Sequence, residues 1–327
     1  MLLSVHCRIT EPMNSALGQV FHTILAPVAN LIEILQSSYF LWGLALGGLA
    51  LIGVRGNEAV RTGDDPLPIG GVLIAAASMG AASLAGDLPS AVWIGVGVIV
   101  LLTLMVENLD GSPIVIAAAS IPGAVVVALA GSSEPAWVRL VVVVSIPIIG
   151  FLINDFESRY GGHGLGVIYF GLAALGTFLA VPDTEWVRTL FAVALPISFL
   201  AWPRVLVTVG PAGAYAAGAV FALFTSEGGT GRPASVIGAL ACLGLLLIEP
   251  VLFRARPQID LLRAQLLGGP MSVLIAAVPQ FAIVLVNSRI AAHYFSPIRS
   301  AAVVAVVFAL TCGALIRFSD RRVGVLG

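Results

Sequence analysis

His22 and Glu33 lie about three helical turns apart, so on one helix they share a face, and Gln19 and Asn30 fall on the same stripe. Ionisable side chains are expensive in hydrocarbon, so such a stripe inside an apolar run requires water, a solute or a polar partner helix. Glu249 closes the apolar run Leu245-Leu246-Leu247-Ile248 and precedes Pro250. That proline frees a backbone carbonyl about one turn earlier, and a carboxylate beside freed carbonyls can hold a cation or relay a proton. Arg254 and Arg256 offer Glu249 the plainer role of a surface ion pair. Pro279-Gln280 interrupts another apolar run near its middle, as in the broken helices that bind solutes in secondary transporters. Gln19, His22, Asn30, Glu33, Glu249 and Gln280 are thus the candidates for a solute or ion path.

A second set of residues points to different chemistry. Asp64-Asp65, then Glu107 and Asp110, then Asp155 and Glu157 stand in successive polar breaks on one side of the apolar runs, with Arg159 and His163 following. If Asp64, Asp65, Asp110 and Asp155 converged, they could hold Mg²⁺ against a pyrophosphate and act on a polyprenyl- or lipid-linked substrate. Acids in short loops more often only solvate the turn. Asn154-Asp155-Phe156-Glu157 resembles one aspartate-rich motif of membrane prenyltransferases, but the aspartate spacing is incomplete and no second such motif follows. Asn108-Leu109-Asp110-Gly111 likewise departs from the sugar-phosphate transferases. The glycine clusters Gly161-Gly162-His163-Gly164 and Gly228-Gly229-Thr230-Gly231 lack the strand–loop–helix setting of a nucleotide site and read as turns.

Whatever these residues do, apolar helices must position them. Of 327 residues 59% are hydrophobic and 10% are charged, against about a quarter charged in soluble domains. Apolar runs recur along the chain at lengths near those needed to cross roughly 30 Å of hydrocarbon as a helix. Barrel strands would alternate apolar and polar residues, and that pattern is absent. All 16 basic residues are arginine, which excludes Schiff-base and P-loop lysine chemistry. A net charge of −1 leaves no footprint for nucleic acid. Cys7, Cys242 and Cys312 show no metal or disulfide spacing. No cofactor is expected. Residues 1–12 carry Arg8 and Glu11 and do not read as a cleavable signal.

Eleven spans are expected, over 39–54, 69–85, 91–106, 114–130, 138–153, 165–181, 187–201, 205–224, 236–252, 271–286 and 301–316. Gly210-Pro211 marks the eighth as broken near its start. Residues 16–35 form a twelfth span or a helix lying in the interface. Counting loops alternately puts eleven arginines on one side and five on the other, so both termini are expected in the cytoplasm. Gly43 and Gly47 form a GxxxG pair suited to close helix approach. Sequence also recurs internally. Ile74-Ala75-Ala76-Ala77-Ser78 returns as Ile116-Ala117-Ala118-Ala119-Ser120, and Trp137-Val138-Arg139 with Pro147 returns as Trp186-Val187-Arg188 with Pro196. From this repeat 67–203 is expected to form three helical hairpins with tight outer turns.

The expected fold is therefore an all-α polytopic membrane bundle of eleven or twelve helices. It is one transmembrane domain over 1–327, with an amphipathic helix in 1–38, the spans in 39–316 and a short tail in 317–327. The functional expectation is a carrier, permease or flippase-like transporter in the cell membrane. The alternatives are the lipid-substrate enzyme above and a non-catalytic membrane subunit. The lipid bilayer is the expected surrounding, and a further membrane protein or a second copy the expected partner.

Overall fold

A computed structural model describes residues 35–58, 65–86, 88–131, 136–159, 165–180, 185–201 and 205–227. The expected spans at 16–35, 236–252, 271–286 and 301–316 lie outside the described residues. The chain divides into two compact units, Met1–Ser37 and Ser38–Gly327, and the helices below belong to the second. They are α1 (Ser38–Glu58), α2 (Gly70–Ala85), α3 (Ser90–Asn108), α4 (Pro113–Ala119), α5 (Ile121–Gly131), α6 (Ala136–Arg159), α7 (Leu165–Ala180), α8 (Glu185–Ser198) and α9 (Pro211–Glu227). The fold is all-α, as the apolar runs require.

Two differences from the sequence expectation have local causes. The run 114–130 is split between α4 and α5 at Ser120. Pro122 has no N–H for the Ala118 carbonyl and its ring crowds that carbonyl, while Ile121 before it is biased away from helix. The Ser120 hydroxyl instead donates to the Ala117 carbonyl at 2.7 Å. Residues 205–210 are not helical; the helix begins only at Pro211.

Length and position are correlated. The stretches Ser38–Asn57, Ser90–Asn108, Pro113–Gly131 and Ala136–Asp155 are long and apolar enough to cross a membrane, and each is less than half buried. Leu49, Ile52, Ile94, Leu101, Ile114, Leu129 and Leu140 point outward from them, forming apolar faces suited to hydrocarbon rather than water. The protein is thus a membrane-associated helical bundle. One of the shorter helices lies inside. In α9, about 26 Å long at 17 residues, every residue from Ala212 to Ser226 is buried. It packs against α2, α3, α5, α6, α7 and α8.

Helices α1 and α8 run side by side in the same direction. The Thr189 hydroxyl donates to the Tyr39 carbonyl at 3.3 Å near their start. Near their end, Arg55 Nη2 donates to the Phe199 carbonyl at 3.2 Å, closing the C-terminal turn of α8. Between them the GxxxG pair does what its spacing implies. A Cβ at Gly43 would lie 2.9 Å from Ala192 Cβ, and one at Gly47 would lie 2.6 Å from Pro196 Cγ, whereas Gly53 faces open space. Alanine at Gly47 is therefore expected to lower the melting temperature in detergent, at a cost of about 1–3 kcal/mol. Alanine at Gly53 should leave it unchanged.

The hairpins are only partly realised. α5 packs on α6 and α7 on α8, but α2 and α3 separate beyond their turn and α9 packs against both. Near that turn Trp93 Nε1 donates to the Ser83 hydroxyl at 3.0 Å. Trp42, Trp93, Trp137 and Trp186 each stand within the first five residues of α1, α3, α6 and α8. Those four helices all begin at the end opposite Arg55. Trp42, Trp93 and Trp137 are exposed there, as expected of an aromatic belt at a headgroup layer. Trp186 instead packs on Phe224, with ring centroids 4.9 Å apart.

Candidate functional site

At the Arg55 end two non-helical stretches meet, each leading into a short helix. The first, 65–69, holds Pro66 and Pro68, which remove two backbone donors and push the residues before them toward extended conformations. The second, 205–210, is Val205-Leu206-Val207-Thr208-Val209-Gly210, rich in β-branched residues that suit extended backbone. They pair in parallel at Leu67 and Val207. Leu67 N–H donates to the Leu206 carbonyl and Thr208 N–H to the Leu67 carbonyl, both at 2.9 Å. Gly210 then turns with φ +70°, a conformation that glycine adopts without strain. Pro211 follows at the first position of α9, where a missing N–H costs nothing.

This pairing also caps α2. Its first turn has no side-chain cap; instead Gly70 N–H donates to the Thr208 carbonyl at 2.8 Å and Gly71 N–H to the Val209 carbonyl at 3.2 Å. Non-helical backbone at membrane depth is tolerated only where protein or a polar cavity satisfies it, and here each stretch partly satisfies the other. The helices cross at two glycines. A Cβ on Gly71 would collide with the Gly213 carbonyl group, and one on Gly213 would lie 3.1 Å from Gly71 Cα and Val72 N.

One carboxylate stands next to this junction. Glu157, in the last turn of α6, is 7% exposed and accepts the N–H of Gly166 at the start of α7. The missing Cβ of Gly166 leaves room for the carboxylate and for Val209, whose Cγ2 would lie 2.6 Å from it. A carboxylate at the first turn of a helix satisfies an orphan donor and opposes the positive end of the dipole. Three helix starts, those of α2, α7 and α9, thus gather around 205–210, one of them met by an internal anion.

Most buried hydroxyls bond within their own helices: Thr103 to Ile99, Thr177 to Ala173, Thr225 to Phe221 and Ser226 to Leu223. Two do not. Ser78 in α2 and Tyr215 in α9 are completely buried and their hydroxyls have no hydrogen-bond partner. Leaving such a group unsatisfied costs about 1–3 kcal/mol. The Tyr215 ring lies on Gly150 of α6, where a Cβ would occupy the ring's place.

The residues singled out from sequence fare unequally. Gln19, His22, Asn30, Glu33, Asp64, Glu249 and Gln280 lie outside the described residues. Asp65 sits at the start of the first extended stretch and is exposed. Asp110 is exposed with φ +54° just past α3, a left-handed position that aspartate tolerates better than most residues. Asp155 lies on α6, half-buried, and its backbone carbonyl accepts the Ser158 hydroxyl at 2.9 Å. Among the described residues no group of three or more His, Cys, Asp or Glu could hold a metal ion. Thr208, Tyr215 and the internal role of Glu157 were not foreseen. Their signals were the alternation Val205-Val207-Val209 before a Gly-Pro pair, and a lone tyrosine among alanines.

Fold and site together define a membrane-associated helical bundle with a paired break at the entry to its central helix. No family model, curated protein or solved structure matches the chain.

Proposed function

We propose that the protein is a carrier that moves a small polar solute across the cell membrane by alternating access. The observation that supports this is the paired break. α2 and α9 are short and apolar, and each starts from a non-helical stretch, 65–69 or 205–210, that is paired with the other. Discontinuous helices of this kind form the solute sites of secondary transporters, because their ends offer backbone donors and acceptors inside the bilayer. The longer helices around them present apolar faces outward, so the polar backbone is screened from lipid. With the arginine-rich side in the cytoplasm, the break lies toward the cytoplasmic end. The internal Pro147 and Pro196 give α6 and α8 sites at which to bend.

Thr208 is half-buried at the centre of the break and reports on access to it. With Cys7, Cys242 and Cys312 replaced by serine, Thr208→Cys is expected to react with a membrane-impermeant maleimide from both sides of the membrane. The measurement compares right-side-out with inverted vesicles. A carrier exposes the position to each side in turn; labelling from one side only, or from neither, would rule the carrier out.

A further inference from the structure

We infer that the first turn of α8 seats the headgroup of an aminophospholipid of the phosphatidylethanolamine class, Arg188 taking the phosphate and Glu185 the ammonium. This is independent of the carrier reading. It starts from how α8 is exposed. Val187, Leu190 and Ala194 are buried, whereas Glu185 is exposed and Arg188 half-buried. Further along, Leu195 is exposed, as is Phe199 just past the helix. At about 100° per residue, Glu185, Arg188 and Leu195 fall on one stripe. That stripe is charged at its outer end and apolar below.

Its charged end stands at headgroup level. The Thr189 hydroxyl bonds the Tyr39 carbonyl, so the first turn of α8 is level with the start of α1. Trp42, about one turn further in, is exposed, and exposed tryptophans mark the layer between hydrocarbon and water. Glu185 and Arg188 therefore lie among phosphates and amines rather than acyl chains.

The order of the charges selects the lipid. Residues three apart on a helix start their side chains about 5–6 Å from each other, and Glu185 lies about 4.5 Å further out along the axis than Arg188. An aminophospholipid carries its charges in the same order: ammonium outermost, phosphate one two-carbon link beneath it, then the chains. The guanidinium fork matches phosphate oxygens, and its five donors allow it a protein neighbour as well. A carboxylate accepts hydrogen bonds from a primary ammonium, whereas a quaternary choline has none to give. A lipid of net negative charge is disfavoured, because residues 181–188 hold two acids, Asp183 and Glu185, for the one arginine.

The test uses the full-length protein with Trp42, Trp93, Trp137 and Trp202 replaced by phenylalanine, which leaves Trp186 beside the site. It is reconstituted in phosphatidylcholine vesicles containing increasing shares of phosphatidylethanolamine, phosphatidylglycerol or phosphatidylcholine brominated near the headgroup end of the chains. Quenching of Trp186 gives the relative affinity of each lipid. Phosphatidylethanolamine is expected to bind about two- to fivefold more tightly than the others, the range of an exposed ion pair. Glu185→Gln should erase that advantage. So should the exchange Glu185→Arg/Arg188→Glu, which keeps the charges and inverts their order. Asp110→Asn, at the opposite end of the bundle, should leave it unchanged. Melting temperatures of the wild-type chain and of Glu185→Gln in micelles doped with the same lipids repeat the comparison without the tryptophan replacements. Equal affinity for the three lipids, tighter binding of phosphatidylglycerol, an advantage that survives either charge substitution, or no quenching by any lipid overturns the inference.

Discussion

Gly71→Ala should be among the most damaging single methyl groups that can be added to the described part of this protein. At Gly71 the backbone of α2 lies directly on the Gly213 carbonyl group of α9, so a Cβ has nowhere to go. The obstacle is main chain, which no rotamer change can move. Overpacking in a well-packed core costs about 1–3 kcal/mol and occasionally more. Here the two helices must part, and parting them stretches the bonds from Gly70 to Thr208 and from Gly71 to Val209. The usual gain of about 1 kcal/mol when alanine replaces glycine in a helix is too small to compensate. Gly213→Ala offers a graded comparison. Its Cβ would lie 3.1 Å from Gly71 Cα, an excess of a few tenths of an ångström that slight sliding relieves. Gly48 faces open space and serves as the control. Melting temperatures in detergent should fall in the order Gly48→Ala, Gly213→Ala, Gly71→Ala, with the last recovered in low monodisperse yield. Equal values for Gly71→Ala and Gly48→Ala would mean that the helices do not cross at this point.

The contrast between Gly71 and Gly47 shows what was legible in the sequence. Gly43 and Gly47 are four apart on an obviously apolar helix, and close approach by a partner follows from that spacing alone. Gly71 and Gly213 are separated by most of the described chain, and nothing local to either indicates the other. The all-α fold was legible because hydrocarbon allows few other ways of satisfying a backbone, and helix positions followed from the apolar runs. What periodicity could not supply was which helix lies inside. α2 and α9 are no more apolar than α3; they are shorter and richer in glycine and alanine, which lets neighbours approach closely. The extended stretch at 205–210 was hidden for a related reason. Val, Leu and Thr are as acceptable in a membrane helix as in a strand, and only Gly210-Pro211 marked a break. Asp110 and Glu157 make the same point for the acids. Both stand just beyond or at the end of an apolar run, yet one closes a turn in solvent and the other is enclosed between helices. Their surroundings come from elements distant in sequence.

Glu157 is the acid for which that enclosure has the largest expected consequence. Its carboxylate ties the end of α6 to the first turn of α7 through the Gly166 N–H, beside the Val209 side chain of the break. Glu157→Ala removes the acceptor and leaves a helix-start donor unsatisfied in a buried place. Hydrogen bonds to charged groups contribute about 1.5–3 kcal/mol, and an abandoned buried donor adds to the loss. A melting-temperature drop larger than that of Gly47→Ala is therefore expected. Glu157→Gln keeps an oxygen that can accept from Gly166 and should recover most of the loss, the remainder being the charge–dipole part of about 0.3–1 kcal/mol. The geometry allows a sharper check. Gly166→Ala places a Cβ against both Glu157 and Val209, so it expels the same carboxylate from the other side. Because each substitution breaks one shared contact, the Glu157→Ala/Gly166→Ala pair should lose clearly less than the sum of the two single losses. Strictly additive losses would show that the two residues act independently and that Glu157 does not hold α7 in place. A non-additive pair would fix this carboxylate as the tie between α6 and the helix start beside the break, so that any movement of α7 relative to α6 has first to release it.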